Sequence, residues 1–422
     1  MRHWWLIILL GLWLAAAPAT RSVDADVQYL LRFKALDLKA EQADRWAAAR
    51  DLQVITRLRR IDVWVLQPID PRRPIALADL TRDPAVAWAE LNGQVHATSL
   101  VPNDYWYAPK QAPYFELMGL PAAWDWTRGS PQPIAFVDTG VDLTHPDLIN
   151  KLWQNPAEIP ANGLDDDGNG YIDDVTGWNF VNHNNLPHST STHGSHVAGI
   201  AAADTNNALG VAGVSWQARI MPLRALADNN TGTITDTAAA IIYAADNGAR
   251  IINLSLGTTT PFNTLAQAVS YAQSQGCLLI ASTGNDGFPS IEYPAALPGV
   301  IAVGASTLAD MRWVGNSVGS NYGPEIDVVA PGVQIFSTAR YQDYAWLDGT
   351  SMSTAFVSGL AQLIWSLQPA WTADEVAQTL TSTAHDIASP GWDAYTGWGR
   401  IDAYRAVQRA ATRYWFFPLI AR

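Results

Sequence analysis

The chain has 422 residues, 48% of them hydrophobic and only 15% Asp, Glu, Lys or Arg, with 30 Gly and 25 Pro. This is a globular composition that excludes a long disordered protein and predicts two or three domains. Lys and Arg number 26 against 39 Asp and Glu, a net charge of −13, so there is no basic face to neutralise nucleic-acid phosphates, and cations such as Ca²⁺ are favoured partners. The single cysteine, Cys277 in the apolar run Gly276-Cys277-Leu278-Leu279-Ile280, excludes an intramolecular disulfide and a cysteine metal cluster and reads as a small buried hydrophobe.

Arg2 and His3 precede an apolar run from Trp4 to Leu14, and Ala17-Pro18-Ala19 supplies a small-x-small cleavage site. Residues 1–19 are therefore expected to be a secretory signal peptide, with an uncleaved anchor as the alternative, and the mature protein to be secreted. No later stretch reaches the ~18 apolar residues of a spanning helix, so no membrane span is expected after signal cleavage.

Residues 24–100 form a different unit. Strand-like segments at 27–33, 52–55, 61–66 and 86–90 alternate with helical periodicity at 39–50 and near 76–81, which predicts a small α+β domain. Arginines concentrate here (Arg45, Arg50, Arg57, Arg59, Arg60, Arg72, Arg73 and Arg82), so this unit and the acidic remainder are expected to attract each other. A linker at 98–103 follows.

From 102 to 411 short apolar runs at 134–137, 219–222, 250–254, 278–282, 300–303 and 326–329 alternate with helical stretches at 194–203, 234–247, 264–275, 352–367, 373–382 and 403–411. Strands apolar on both faces and separated by helices predict an α/β fold with a doubly wound parallel sheet. Chemistry in such sheets gathers at the carboxyl edge. Asp138 ends the run Ile134-Ala135-Phe136-Val137, His193 opens a helix in Thr192-His193-Gly194-Ser195-His196-Val197-Ala198-Gly199, and Ser351 starts another in Gly349-Thr350-Ser351-Met352-Ser353. They supply an acid, a base and a nucleophile: serine needs a base to take its proton, and the base needs a carboxylate to fix its tautomer and stabilise its imidazolium form.

With these three motifs the sequence resembles the subtilisin-like serine proteases, the subtilases, whose triad runs Asp, His, Ser. The resemblance spans about 102–411, with 114–142 similar to the family's lead-in to its acidic motif. It implies a subtilisin-like fold and a secreted serine endopeptidase that cleaves peptide bonds in proteins or peptides through an acyl-enzyme and matures from a self-processing precursor. Ile280-Ala281-Ser282-Thr283-Gly284-Asn285 resembles the family's oxyanion motif, making Asn285 the side-chain donor beside the Ser351 N–H. Where the family usually has Ala-x-Pro-His after the nucleophile, Ser353, Ala355 and Phe356 depart from it, and Ala355 removes a helix-start proline. Ser195 replaces a commoner Thr. Residues 24–100 resemble a subtilase propeptide that assists folding and acts as an intramolecular inhibitor; a permanent binding module is the alternative. A monomer without organic cofactor is expected.

The family's S1 pocket is walled by a Ser-Leu-Gly strand, here Ser255, Leu256 and Gly257, and by 281–285, and the residue before a Tyr-Pro pair lies near its floor. That residue is Glu292. A carboxylate there would pair with a Lys or Arg of the substrate; the alternative is that it turns to solvent and the pocket takes large apolar groups.

Asp165-Asp166-Asp167-Gly168-Asn169-Gly170-Tyr171-Ile172-Asp173-Asp174 places oxygens at positions 1, 3 and 5 with Gly at 6, as in a calcium loop. Asp165, Asp167, Asn169 and Tyr171 are the expected ligands. The twelfth position is Thr176 and not a bidentate Glu, so Asp173 or Asp174 is expected to close the site. It lies in the 55-residue interval from Asp138 to His193, surface decoration near the site. Resemblance to the thermitase branch implies a structural Ca²⁺ site from Asp104, Asp147 and Asn207 with carbonyls of Thr205, Leu209 and Val211. A second site of that branch falls on 177–184, where Asn stands at each expected Asp, and is expected to be weak or empty.

Ser351, Asp374 and His385 also stand in the order of a lipase-like hydrolase, but their spacings leave no room for the intervening strands and the second elbow glycine is missing. A degenerate subtilase serving as a binding domain is the other rival. The tail 412–422 is apolar and is expected either to pack on the body or to act as a sorting signal.

Overall fold

The computed structural model describes residues 28–35, 38–70, 73–92 and 100–412. The expected signal peptide and the tail beyond 412 lie outside them. The chain divides into two units, Met1–Ala97 and Thr98–Arg422.

In the first unit β1 (Tyr29–Phe33), α1 (Ala40–Ala48), β2 (Leu52–Leu58), β3 (Val63–Pro68), α2 (Leu77–Arg82) and β4 (Val86–Leu91) build a four-stranded sheet in the order β2-β3-β1-β4. Its pairings are antiparallel. Tyr29, Leu31 and Phe33 alternate onto the buried face of β1 and pack with Ala43, Ala47, Leu52, Leu66, Leu80 and Val86, the period-2 and period-3.6 patterns meeting in one core.

The second unit opens with α3 (Ala112–Leu117) and α4 (Leu120–Trp124). A seven-stranded sheet follows from β5 (Pro133–Asp138), β6 (Trp178–Asn179), β7 (Arg219–Arg224), β8 (Ile251–Leu254), β9 (Leu278–Ser282), β10 (Ile301–Ser306) and β11 (Val328–Pro331), in the order β11-β10-β9-β8-β5-β7-β6. Every pairing in it is parallel. The crossovers carry α5 (Thr192–Ala202), α6 (Ile234–Asp246) and α7 (Asn263–Ser274); after β11 come the hairpin β12 (Ile335–Thr338) and β13 (Tyr344–Leu347), then α8 (Thr350–Leu367), α9 (Ala373–Ser382) and α10 (Ala403–Thr412).

Alternation along the strands sorts side chains into two cores. Ile134, Phe136, Leu278, Ile280, Val303 and Val328 join α5 and α8 on one face. Ala135, Val137, Leu279, Ala281, Ala302 and Val329 join α6 and α7 on the other. A strand buried on both faces loses the apolar–polar alternation of a surface strand, which is why these segments read as continuous apolar runs. Where the family pattern has proline, Ala355 keeps α8 regular, and Phe356 fills the core against Tyr114 and Phe115 with ring centroids 5.7 Å apart in each pair. Among the described residues no helix is long and apolar enough to cross a membrane.

Candidate active site

The three motif residues converge where strands end and helices begin. Asp138 is the last residue of β5 and fully buried. Its carboxylate oxygens lie 2.8 and 3.0 Å from His193 Nδ1, and Oδ1 also accepts from Thr139 N at 2.6 Å. A carboxylate only accepts, so Nδ1 carries the proton and, in the neutral ring, Nε2 is left with a free lone pair. Burial works against a charged imidazole, but the ion pair and hydrogen bond with Asp138 prevail and hold the His193 pKa above its ordinary value. The close approach of α5 to β5 depends on Gly194, where a Cβ would fall on the carbonyl oxygen of Gly140; Gly194 N instead donates to Thr139 Oγ1 at 3.1 Å.

Ser351 sits in the first turn of α8, where its N–H has no intrahelical acceptor. Gly349 before it has φ 153° and ψ 159°, a conformation that side-chain-bearing residues rarely adopt. The Ser351 hydroxyl donates to Ser255 O at 3.3 Å, and no hydrogen bond joins it to His193 among the described residues. Nucleophile–base hydrogen bonds are commonly long or unformed before substrate binds, so the missing bond does not separate the two residues functionally. The Ser255 hydroxyl donates to Ser351 O at 2.9 Å, and Ser255 Oγ accepts from Asn253 Nδ2 at 2.9 Å; Ser358 donates to Asn253 Oδ1 at 2.9 Å. Sequence reading missed Asn253 and Ser358, although an Asn inside the buried strand Ile251-Ile252-Asn253-Leu254 is a signal of a satisfied polar network.

Asn285 Oδ1 accepts from Thr350 N and Thr350 Oγ1, both at 2.9 Å. With its oxygen engaged, the amide presents Nδ2 to the cleft. Thr350 carried no functional signal of its own in the sequence. His193, Ser255, Leu256, Gly257, Asn285, Tyr293 and Ser351 line one cleft of about 660 Å³. Glu292 is not among the residues lining that cleft; it is half-buried behind Gly257, where a Cβ would fall on Glu292 Oε2, and beside Gly284, where one would meet its Cδ at 2.9 Å. Burial, followed by the neighbouring Asp286, raises its pKa above the ordinary carboxylate value. A missed histidine, His196, lies one turn beyond His193, fully buried, its Nε2 3.1 Å from both Ile335 O and Ala345 O. Carbonyls only accept, so Nε2 carries hydrogen, and burial pushes the pKa down to about 3. This ring is a neutral tie to the β12–β13 hairpin.

The residues expected to bind calcium lie in two places. Asp104 and Asp147 are both buried. Asp104 accepts from Asn206 N at 2.8 and 3.0 Å, and Asp147 from Asn207 Nδ2 at 3.0 Å, Val211 N at 2.8 Å and Tyr344 OH at 3.0 Å. Burial raises the Asp104 pKa to about 6, against hydrogen bonds that lower it and with the Asp147 charge adding to the rise. Among the described residues no Lys or Arg pairs with these two buried carboxylates, a set that fits a hard cation, and Thr205, Leu209 and Val211 lie on the loop that supplies Asn207. In the Asp-rich loop Asp165 and Asp167 approach Glu158, which the sequence reading had not included, with one oxygen of each within 4.8 Å of the others. Asn169 N donates to Asp165 Oδ1 and to Asp167 Oδ1, both at 3.0 Å, and Tyr171 N donates to Asn169 Oδ1. Asp173 faces elsewhere, its oxygens accepting from Asn162 N and Gly163 N at 3.0 Å. Asp174 accepts from Tyr243 OH at 2.5 Å and from Asn155 Nδ2 and Asn169 Nδ2 at 3.0 Å. In 177–184 Asn179 spends its amide on its own turn, accepting from Asn182 N and donating to Leu186 O.

A buried Asp–His pair, a serine at a helix start and an amide donor around one cleft define a serine hydrolase. The profile of the Subtilase family matches residues 129–399, and the chain belongs to that family. It is 42% identical over 334 residues to the thermophilic serine proteinase of Bacillus sp. strain AK1, covering 78% of this chain and 74% of that protein. It is 39% identical over 307 residues to thermitase of Thermoactinomyces vulgaris, covering 73% of this chain and 99% of that one. Among solved structures, a protease from Pseudoalteromonas arctica PAMC 21717 superposes with a TM-score of 0.61 at 31% identity, over 74% of this chain and all of that one. The protein is a serine-type endopeptidase acting on protein substrates.

Proposed function

We propose that Ser351 is the nucleophile, His193 the general base and acid, Asp138 the group that orients His193, and Asn285 Nδ2 with the Ser351 N–H the oxyanion donors. The observation that carries this reading is the Asp138–His193 hydrogen-bond pair opening onto the cleft that Ser351 and Asn285 also line. His193 Nε2 takes the Ser351 proton as Oγ attacks the peptide carbonyl, then returns it to the leaving amine, and water repeats the cycle to release the acyl group. Negative charge developing on the carbonyl oxygen meets donors fixed before reaction, so little reorganisation is needed in the transition state.

Residues 24–100 act as a removable propeptide and intramolecular inhibitor, and 1–19 as a signal peptide, giving a secreted enzyme. The compact antiparallel α+β unit ending before Thr98 and the thermitase match, which spans nearly all of that protein but only 73% of this chain, support this division. A Ca²⁺ held by Asp104, Asp147 and Asn207 would supply positive charge to two buried carboxylates and fix the loop around them. Glu292 between Gly257 and Gly284 favours a basic substrate side chain in S1, where its burial leaves the carboxylate in need of a cation. Expression of Ser351→Ala in a protease-free secreting host tests the scheme: the variant is expected to retain residues 24–100, and its release at a mature start near Asn103 would contradict self-processing.

A further inference from the structure

The Asp-rich loop lacks a carboxylate at its twelfth position, and the two acids that follow it are engaged elsewhere: Asp173 accepts from backbone N–H groups and Asp174 from Tyr243 on α6. What stands opposite Asp165 and Asp167 is Glu158, from a turn before the loop. Its side chain is buried, with 7% of its surface exposed. Oε1 accepts from Asp166 N at 2.9 Å and Asp167 N at 3.4 Å, while Oε2 is buried with no hydrogen-bond partner. Desolvating a carboxylate oxygen without a donor is costly unless a cation takes the donor's place. The sequence offers no ordinary compensation, since no Lys or Arg occurs between Lys151 and Arg219, and no ion pair involves Glu158, Asp165 or Asp167 among the described residues.

We propose that Glu158 closes a Ca²⁺ site with Asp165 and Asp167, replacing the terminal glutamate that an EF-hand-type loop carries in its own sequence. The proposal deepens the calcium-binding part of the function above and rests on it. The donors are hard oxygens only, three of them anionic and drawn from two separate turns, a set that suits the larger and more flexible shell of Ca²⁺ better than the strict octahedron of Mg²⁺. Asn155 Nδ2 already bridges Asp167 Oδ2 and Asp174 Oδ1 at 3.0 Å each, so a cation there fastens 155–174 as one piece onto α6 through the Asp174–Tyr243 bond.

The test is equilibrium dialysis of radioactive Ca²⁺ on full-length Ser351→Ala protein, kept under a serine-protease inhibitor, alone and with Glu158→Gln or Asp104→Asn added. Glu158→Gln is expected to weaken one class of bound Ca²⁺ by about tenfold or more, while Asp104→Asn weakens a different one. Binding by Glu158→Gln equal to the parent overturns the proposal, and loss in Asp104→Asn alone would leave the Asp104 site standing without this one. A second measurement does not require that variant to fold. In the Asp104→Asn background, chelation is expected to speed hydrogen exchange in peptides covering 155–174, and unchanged exchange there also overturns the proposal. Neither readout depends on whether Ser351 is the nucleophile.

Discussion

Thr350 holds Asn285 by its amide oxygen. Both the backbone N–H and the hydroxyl of Thr350 donate to Oδ1 at 2.9 Å, so the residue next to the proposed nucleophile decides which way the neighbouring amide faces. A single N–H would leave the amide free to swing, and a flipped amide would turn an acceptor toward the oxyanion. Thr350→Val removes one of the two bonds and is expected to lower kcat about fivefold, the worth of about 1 kcal/mol of hydrogen bonding, with little change in KM. Asn285→Ala is expected to lower kcat about 10²–10³-fold, the cost of losing one oxyanion donor in subtilisin. Steady-state kinetics of the two single variants and the double variant check the coupling: Thr350→Val should add almost nothing once Asn285 is Ala.

In the proposed mechanism the Asp138–His193 pair sets the acid limb of the rate profile. His193 must be neutral at Nε2 to accept the serine proton, and its pKa is held above the ordinary value by Asp138 in spite of burial. Activity is therefore expected to rise with pH through a midpoint above about 6.5. In Asp138→Asn the anion is gone while burial remains, so the midpoint should move to lower pH and kcat fall about 10⁴-fold. Profiles of kcat/KM against pH on a chromogenic peptide decide this, and an unshifted acid limb in the variant would contradict the pairing.

Much of this arrangement is legible in the chain because its physical cause is local. The sheet strands are buried on both faces and read as short apolar runs, so 278–282 coincides with β9 and 134–137 lies inside β5. The triad motifs combine a reactive side chain with the small residues its packing needs, as Gly194 beside His193 does. Features made by tertiary pairing left weaker traces. Trp178–Asn179 is a strand only because it lies along β7. The β12–β13 hairpin escaped because its connection contains Tyr341 and Gln342 at φ 61° and 60° and no glycine to mark the turn. Glu158 escaped for a similar reason: the spacing rule that exposes Asp165 and Asp167 looks forward along the loop for its last ligand, and here the chain supplies a carboxylate from behind.

The proposed place of Glu292 in S1 predicts that substrate preference depends on pH. Its pKa is raised by burial and then by Asp286, so the carboxylate is neutral at low pH and becomes charged as pH rises through that elevated value. The ratio of kcat/KM for matched peptides with Arg or Phe before the scissile bond cancels the His193 titration common to both. That ratio is expected to climb with pH in the wild type and to be flat and roughly tenfold or more lower in Glu292→Gln. Equal ratios in the two proteins would mean that Glu292 does not reach the bound side chain.

The assignment of Ser351 as nucleophile is tested most directly by reaction of the mature enzyme with a fluorophosphonate, followed by peptide mapping and residual casein hydrolysis. One phosphonyl group on Ser351, with activity lost in proportion to labelling, is the expected result, and prior Ser351→Ala exchange should abolish both. A label on another residue, or casein hydrolysis that survives Ser351→Ala, would contradict the account.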